Sequence, residues 1–225
     1  MRRRVLSYES LPLELKKLIY EYAAFTNESL RAAVKRYCAD RPAAVRRYGP
    51  INAWDVSRVT DMSDLFRGQG DFGKDEPDDF IRDWDTSSVT NMKWMFQYCH
   101  EFDHDISAWD TSAVTDMRYT FSCCKQFNSD ISRWNTASVV NMMGMFCEAF
   151  EFDRDISGWN VGRVVNMKFM FATTYDFDQD ISGWNVSAVT EWTDIFARDE
   201  DADPFDLQKS PFDTHPRLHL RLPDY

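Results

Sequence analysis

Long uncharged hydrophobic runs are missing from this chain of 225 residues. A membrane-spanning helix needs about 20 apolar residues in succession, and no stretch of the sequence approaches that length. The arginines at positions 2–4 are followed by a segment in which Glu9, Glu14 and Lys16 interrupt any apolar run, so no signal-peptide core is expected. We therefore expect an intracellular, cytoplasmic protein without a membrane span.

Cysteine and histidine are scarce. The five cysteines are odd in number and show no CxxC spacing, which excludes a disulfide framework and a zinc motif and favours a reducing compartment. The four histidines, His100, His104, His215 and His219, suggest no shared catalytic site, and there is no phosphate-binding loop. We expect a protein that is not an enzyme.

The net charge of −11 is unevenly divided along the chain. Up to Pro50 there are 11 Lys and Arg against 5 Asp and Glu, and the remainder has 15 against 32. A basic head on an acidic body could attract an anionic ligand through the head or a basic partner through the body. Solvated faces with some mutual attraction explain the same division, so nucleic acid is not the expected partner.

Tryptophan recurs every 25 residues from Trp84 to Trp184, after one earlier copy at Trp54. Isoleucine precedes each of these six tryptophans by three residues, valine follows by five, and phenylalanine follows by twelve. A fixed period of this length indicates repeats that bury their apolar sides by stacking on one another. We expect the Ile, Trp, Val, Met and two Phe columns to point inward.

The period predicts a leucine-rich-repeat-like solenoid with an N-terminal helical cap. Its expected parts are a helical head at 1–49, about six repeats at 50–197, and a C-terminal cap or tail at 198–225. Within each repeat we expect one short parallel strand near the isoleucine and a tight helical turn in the Val-Thr-Asx-Met segment. In the head, the pattern predicts three helices: Leu11–Tyr22, a second after an Asn27 cap, and a third from an Asp40 cap to Tyr48.

The repeats resemble a known family. Trp54–Phe66 and Phe152–Trp159 are similar to the 25-residue repeats of BspA-like surface proteins, leucine-rich-repeat relatives abundant in Mycoplasma lipoproteins. The resemblance implies a non-enzymatic scaffold for adhesion or protein binding. Its bacterial members are exported, whereas no export signal is expected here.

A second, shorter resemblance lies upstream of the repeats. Ser10–Tyr22 is similar to the opening of an F-box, the helical motif that docks onto a Skp-type ubiquitin-ligase adaptor. A plain capping helix explains the same pattern. The candidate adaptor-binding residues are Leu11, Pro12, Leu15 and Ile19.

Aspartates form columns across the repeats, for example Asp103 and Asp105 in one repeat and Asp153 and Asp155 in another. Calcium prefers six to eight oxygen ligands, but Asx side chains also bond backbone N–H groups at turns. We expect turn chemistry, with no metal and no cofactor. Cys99 and Cys124 also occupy equivalent places in adjacent repeats, and we expect buried free thiols there rather than a disulfide.

Partner recognition is expected at columns that vary between repeats. The position ten residues after each repeat tryptophan is occupied by Asp, Trp, Tyr, Gly, Phe and Asp, and the preceding position carries several cations. Exposed aromatic residues beside Lys and Arg are typical anchors of a protein interface. The candidate partner-binding residues are Lys93, Trp94, Arg118, Tyr119, Lys168 and Phe169. Gly144 is expected to divide them into two patches, and shielding of the flank is the alternative role.

Overall fold

The computed structural model describes residues 24–74 and 80–197. The predicted first helix, its candidate residues Leu11, Pro12, Leu15 and Ile19, and the C-terminal segment from residue 198 lie outside the described residues. The described part comprises two helices, one short 3₁₀ turn and a series of stacked repeats.

Helix α1 spans Asn27–Ala39 and buries Leu30, Ala33, Val34 and Tyr37 along one side. Its N-cap is Thr26, which forms a capping box with Ser29. The prediction of Asn27 as the cap was wrong by one residue. The Asn27 side chain instead accepts hydrogen bonds from the backbone N–H groups of Thr60 (2.9 Å) and Asp61 (3.2 Å) in the first repeat.

Helix α2 spans Arg41–Tyr48 and begins and ends where its sequence signals predict. The Asp40 side chain caps it by accepting from the backbone N–H of Ala43 at 2.9 Å. Gly49 ends it with a φ of 76°, a left-handed conformation that glycine adopts without steric cost. A 3₁₀ turn at Ile51–Ala53 then leads into the first repeat.

The helical segment packs on the first repeat through aromatic side chains. The rings of Phe25, Tyr37 and Tyr48 lie 5.2–5.9 Å from the ring of Trp54 between centroids. The Trp54 indole N–H donates to the Gly49 carbonyl at 3.1 Å. The apolar side of the first repeat is therefore covered by the two helices rather than exposed to solvent.

Adjacent repeats are joined by parallel backbone pairing at the residue two positions after each repeat valine, which is Asp or Asn in five repeats and Glu191 in the last. Within the described residues the pairs are isolated bridges: Asp61 with Asn91, Asn91 with Asp116, Asp116 with Asn141, Asn141 with Asn166, and Asn166 with Glu191. The prediction of a strand near the isoleucine was therefore wrong, because the bridge lies ten residues later.

Backbone N–H groups in this segment alternate between two kinds of acceptor. In one repeat Met92, Trp94, Phe96 and Tyr98 donate to carbonyls of the next repeat at 2.8–3.0 Å. The residues between them donate locally: Met95, for example, bonds Met92 at 3.1 Å. The predicted tight helical turn is thus replaced by consecutive turns whose intervening N–H groups bond the neighbouring repeat.

This alternation requires left-handed backbone at two positions of each repeat. Met92 and Met95 close one turn, whose third residue, Trp94, has a φ of 60°. Tyr98 occupies the equivalent place in a later turn, with a φ of 65°. A positive φ at the third residue is the signature of a type II turn, which favours glycine. These positions usually carry other residues here, so the sequence gives no glycine signal for the turns.

The tryptophan column is buried and hydrogen-bonded across repeats. Each indole N–H from Trp84 to Trp184 donates to the isoleucine carbonyl of the preceding repeat at 2.9–3.1 Å. Adjacent rings, where paired, have centroids 6.4–6.5 Å apart. Tryptophan therefore fills the core and also satisfies a buried carbonyl, which phenylalanine of similar shape cannot do.

The two phenylalanine columns interdigitate beside the tryptophans. Phe121 and Phe127 stack within one repeat at 3.9 Å, and Phe121 stacks on Phe146 of the next repeat at 5.9 Å. The methionine column, represented by Met92, Met117 and Met142, is fully buried alongside them. The predicted inward columns are therefore confirmed as the core.

We predict that Trp134→Ala lowers the free energy of unfolding by about 3–5 kcal/mol, because it leaves a large cavity between two repeats. Trp134→Phe should cost about 1–3 kcal/mol, since it keeps most of the ring but leaves the Ile106 carbonyl without its donor. Urea denaturation followed by circular dichroism measures both. A neutral Trp134→Phe would contradict the role assigned to the indole N–H, and equal losses for the two variants would contradict the role assigned to the cavity.

Candidate interaction surface

The predicted aromatic column lies at the left-handed turn positions. Trp94, Tyr119 and Phe169 have φ values of 60°, 54° and 59°. A left-handed conformation costs a residue with a Cβ roughly 1–2 kcal/mol, and it is a clear outlier for a bulky side chain. Three large aromatic residues therefore occupy positions where the backbone favours glycine.

The inter-repeat ladder aligns these residues on one flank. Trp94 N–H donates to the Arg118 carbonyl at 2.8 Å, and Tyr119 N–H donates to the Met143 carbonyl at 2.9 Å. Phe169 makes the equivalent bond to Thr193 at 3.2 Å. All three side chains are half-buried. The structure thus brings the predicted aromatic residues into register, with part of each ring open to solvent.

Cations lie over the faces of these rings. The Lys93 ammonium is 3.4 Å from the centroid of Trp94, and the Arg67 guanidinium is 4.8 Å from it. Lys168 lies 4.9 Å from the centroid of Phe169. Such contacts stabilise by about 0.5–1 kcal/mol at exposed sites. Arg67 was missed from the sequence because it belongs to the preceding repeat, and only the inter-repeat register brings it to Trp94.

Arg118 differs from the other predicted cations. Its guanidinium forms a salt bridge with Asp116 at 2.6 Å, and its Nε donates to both carboxylate oxygens at 3.0 Å. These hydrogen bonds raise the pKa of Arg118. The expected positive rim is therefore corrected: Lys93 and Lys168 contribute charge, whereas the charge of Arg118 is balanced within its own repeat.

Gly144 does not leave a gap in the column. A Cβ built on Gly144 would lie 2.2 Å from Cε1 of Tyr119, so the tyrosine ring occupies the space above this glycine. Burial there raises the pKa of Tyr119. Tyr119 therefore covers the position that separates it from Phe169, and the division into two patches stays a prediction.

The aspartate columns serve the backbone. Asp105, Asp130, Asp155 and Asp180 each accept from the N–H of the serine two residues later, at 2.9 Å. In the neighbouring column, Asp103 accepts from the N–H of Asn128 at 2.8 Å, and Asp153 accepts from that of Asp178 at 3.0 Å. The first column closes turns and the second joins repeats. No group of three or more His, Cys, Asp or Glu suited to a metal occurs in residues 24–74 and 80–197.

The five cysteines are free thiols, and the expectation of buried free thiols concerned Cys99 and Cys124. Cys99 and Cys124 are buried and donate to the carbonyls of Phe66 (3.1 Å) and Phe96 (2.9 Å) in the preceding repeats. Burial raises the pKa of both thiols. The reactive species of cysteine is the thiolate, and a raised pKa keeps these two side chains as neutral thiols. They therefore act as small core residues that donate to carbonyl groups.

Comparison with known proteins identifies one family. The family model described as "Mycoplasma protein of unknown function, DUF285" matches residues 40–142 and 106–209, and the two matches together cover most of the chain. The protein belongs to this repeat-containing family. No curated protein and no solved structure shows significant similarity to it. In the part of the chain that is described, neither helix is long and apolar enough to cross a membrane.

Gly144→Ala should lower the free energy of unfolding by about 1–3 kcal/mol, because it adds left-handed strain and displaces the Tyr119 ring. Gly158→Ala is the matched control, since no atom lies within 4 Å of its added Cβ. We expect the control to be neutral or to stabilise slightly. Thermal and urea denaturation measure both, and a neutral Gly144→Ala would contradict the packing of Tyr119 over this position.

The aspartate turns predict an acid-sensitive fold. Serine hydroxyl and backbone N–H groups lower the pKa values of Asp105, Asp130, Asp155 and Asp180. A carboxylate whose pKa is lower in the folded state stabilises the fold above its unfolded pKa of about 3.9. That contribution is lost as the pH falls through the folded value. We expect the urea midpoint to drop as the pH is lowered from about 5 to about 3.

Replacing all four of these aspartates by asparagine should reduce that drop. Asn135 and Asn160 already close equivalent turns in this chain, accepting from N–H groups at 3.1 Å, so asparagine keeps the turn without a titrating group. Urea denaturation of both proteins across the same pH range makes the comparison. An identical acid loss in the variant would show that these turns do not account for the pH dependence.

Proposed function

We propose that this protein is a non-enzymatic protein-interaction scaffold built on a BspA-like, leucine-rich-repeat solenoid. The single observation that carries the proposal is the flank formed by Trp94, Tyr119 and Phe169, three aromatic side chains held at equivalent left-handed backbone positions, with Gly144 between the last two. The 25-residue period and the parallel pairing of each repeat with the next support the solenoid architecture.

Backbone strain supports a binding role for this flank. A glycine at these positions would avoid about 1–2 kcal/mol of strain each, and Gly144 occupies one of them with the same φ of 59°. The core beneath is closed by the buried Met and Phe columns. Strained residues concentrate at functional sites, and each of these rings keeps part of its surface open to solvent. We infer that a partner completes the burial of the rings.

The charges around the rings define the kind of partner. Lys93 and Lys168 place positive charge on an otherwise acidic body, whereas the charge of Arg67 is balanced by Asp64 at 3.0 Å. A partner protein with an apolar surface edged by carboxylates would cover the rings and pair with these cations. The cations already lie on the ring faces, so binding would move them outward to the partner's carboxylates while the partner's apolar groups take their place.

The titratable side chains support a non-enzymatic role. The aspartate columns close turns, and the cysteines bond carbonyl groups. His100 and His104 each contact a backbone carbonyl, at 2.9 Å and 2.7 Å, so both imidazoles serve the packing of the repeats. These groups act on the chain's own backbone rather than converging on a substrate.

An F-box-type receptor and a structural or adhesive component remain alternative proposals. The first rests on Leu11, Pro12, Leu15 and Ile19, which lie outside the described residues, and co-purification with a Skp-type adaptor tests it. The second rests on the resemblance to surface proteins, and recovery of the chain in a particle or cell-wall fraction tests it.

We predict that the double change Trp94→Ala, Tyr119→Ala weakens capture of the main protein partner at least about tenfold, equivalent to about 1.4 kcal/mol. The core columns are untouched, so the variant should melt close to the unmodified chain. Quantitative pull-down with the intact chain identifies the partner, and titration with the purified partner measures the affinity.

Val165→Ala is the matched control, because Val165 is also exposed but lies outside the aromatic column. It should leave capture unchanged. Undiminished capture by the double variant would contradict the proposed interface and direct attention to the basic head, starting with Leu15 and Ile19.

A further inference from the structure

A second variable column lies sixteen residues after the repeat tryptophan. Successive repeats place His100, Lys125, Phe150 and Tyr175 there. One inter-repeat hydrogen bond per step fixes the column: the carbonyls of His100, Lys125 and Phe150 accept from N–H groups of the next repeat at 3.1–3.3 Å. We call these four residues, together with Tyr98, the second strip. This column varies between repeats that are otherwise regular, which is the same criterion that identified the first column.

The second strip exposes aromatic faces. Tyr98 and Tyr175 are 45% and 46% exposed, more than any other large hydrophobic side chain in the described residues. Phe150 and Tyr175 lie 5.3 Å apart between ring centroids, and Tyr98 lies 6.4 Å from the ring of His100. Aromatic residues grouped in this way and open to solvent mark an interaction surface.

Carboxylates flank the strip. Glu148 lies two residues before Phe150, Glu151 follows it, and Asp176 follows Tyr175. The four ion pairs in the described part of the chain use Asp61, Asp64, Asp105 and Asp116 instead. The strip therefore combines exposed ring faces with carboxylates that form no ion pair with a cation of the described residues.

One contact within the strip indicates the kind of group that its rings attract. The Lys125 ammonium lies over the ring of Phe150, 5.5 Å from its centroid. Cations are attracted to the faces of aromatic rings. Tyr98 and Tyr175 offer similar faces, and no cation–ring contact to either is present among the described residues.

We propose that the second strip binds a short arginine-rich segment of a partner protein, with guanidinium groups over the exposed rings of Tyr98 and Tyr175 and further pairing to carboxylates along the strip, Glu151 and Asp176. Arginine suits this surface better than lysine, because its planar guanidinium stacks on aromatic rings and pairs with a carboxylate through two hydrogen bonds. The same carboxylates and the negative body repel nucleic acid, which shares the affinity for aromatic faces. The strip thus prefers the opposite charge from the Trp94 flank.

The test is fluorescence anisotropy of the full chain with a labelled nona-arginine peptide. Tyr98→Ala, Tyr175→Ala should weaken binding at least about fivefold, since both stacking faces are lost. Tyr98→Phe, Tyr175→Phe keeps the faces and should stay within about twofold. Val165→Ala and the Trp94→Ala, Tyr119→Ala variant should bind like the unmodified chain, which separates this strip from the first interface. Unchanged binding by the alanine pair, with its melting temperature preserved, would overturn the proposal.

Charge variants separate the strip from the general attraction of an acidic protein. The strip variant carries Glu151→Gln and Asp176→Asn, and the control variant carries Asp55→Asn and Asp83→Asn. Both variants remove two negative charges from exposed positions, the first inside the strip and the second outside it. The strip pair should weaken peptide binding more than the control pair. Equal losses of peptide affinity in the two variants would overturn the proposal in favour of diffuse electrostatic attraction. Tighter binding of a labelled single-stranded oligothymidylate than of the peptide would also overturn it.

Discussion

The alternation of backbone donors between neighbouring repeats is the constraint on which the rest of the structure depends. Met92, Trp94 and Phe96 direct their N–H groups to the next repeat, while the residues between them are satisfied within their own repeat. The N–H of Lys93 bonds the Asn91 side chain at 3.1 Å, which explains the Asx at this place. Every donor is thereby used without a continuous strand or helix. The cost is a left-handed residue at the third position of each turn.

The core columns follow from this ladder. Because the ladder places equivalent residues of adjacent repeats next to each other, identical side chains are in contact. Each core side chain must therefore pack well against the same residue type. Flat rings meet that requirement by stacking, as Phe152 and Phe177 do at 5.9 Å with an interplanar angle of 3°. The tryptophans add an indole bond to the preceding repeat, so the column that best fills the core also links the repeats. Stability therefore depends on neighbours at every repeat, and the helical segment provides a neighbour for Trp54.

The sequence predicted the periodic features and missed those that depend on register. The 25-residue period identifies the buried columns, because burial repeats with the chain. It does not reveal the left-handed turns, because a left-handed position is normally predicted from a glycine and these positions carry Trp94, Tyr119 and Phe169. It also misses Arg67 on Trp94, because the contact crosses repeats. Asp116 was visible two residues before Arg118, but an ion pair at that spacing depends on the turn geometry, which was predicted incorrectly.

The left-handed positions also explain why specificity can reside on this scaffold. Residues with a Cβ bear backbone strain there, less for Asp than for bulky side chains, so exchanging one large side chain for another alters the surface more than the fold. The inter-repeat bonds at these positions use only backbone atoms, and the core columns lie at other places in the repeat. The same reasoning extends to the second strip, whose carbonyls carry the pairing while its rings face solvent. The two proposals together would place two surfaces of opposite charge preference on one regular stack of repeats, each adjustable repeat by repeat.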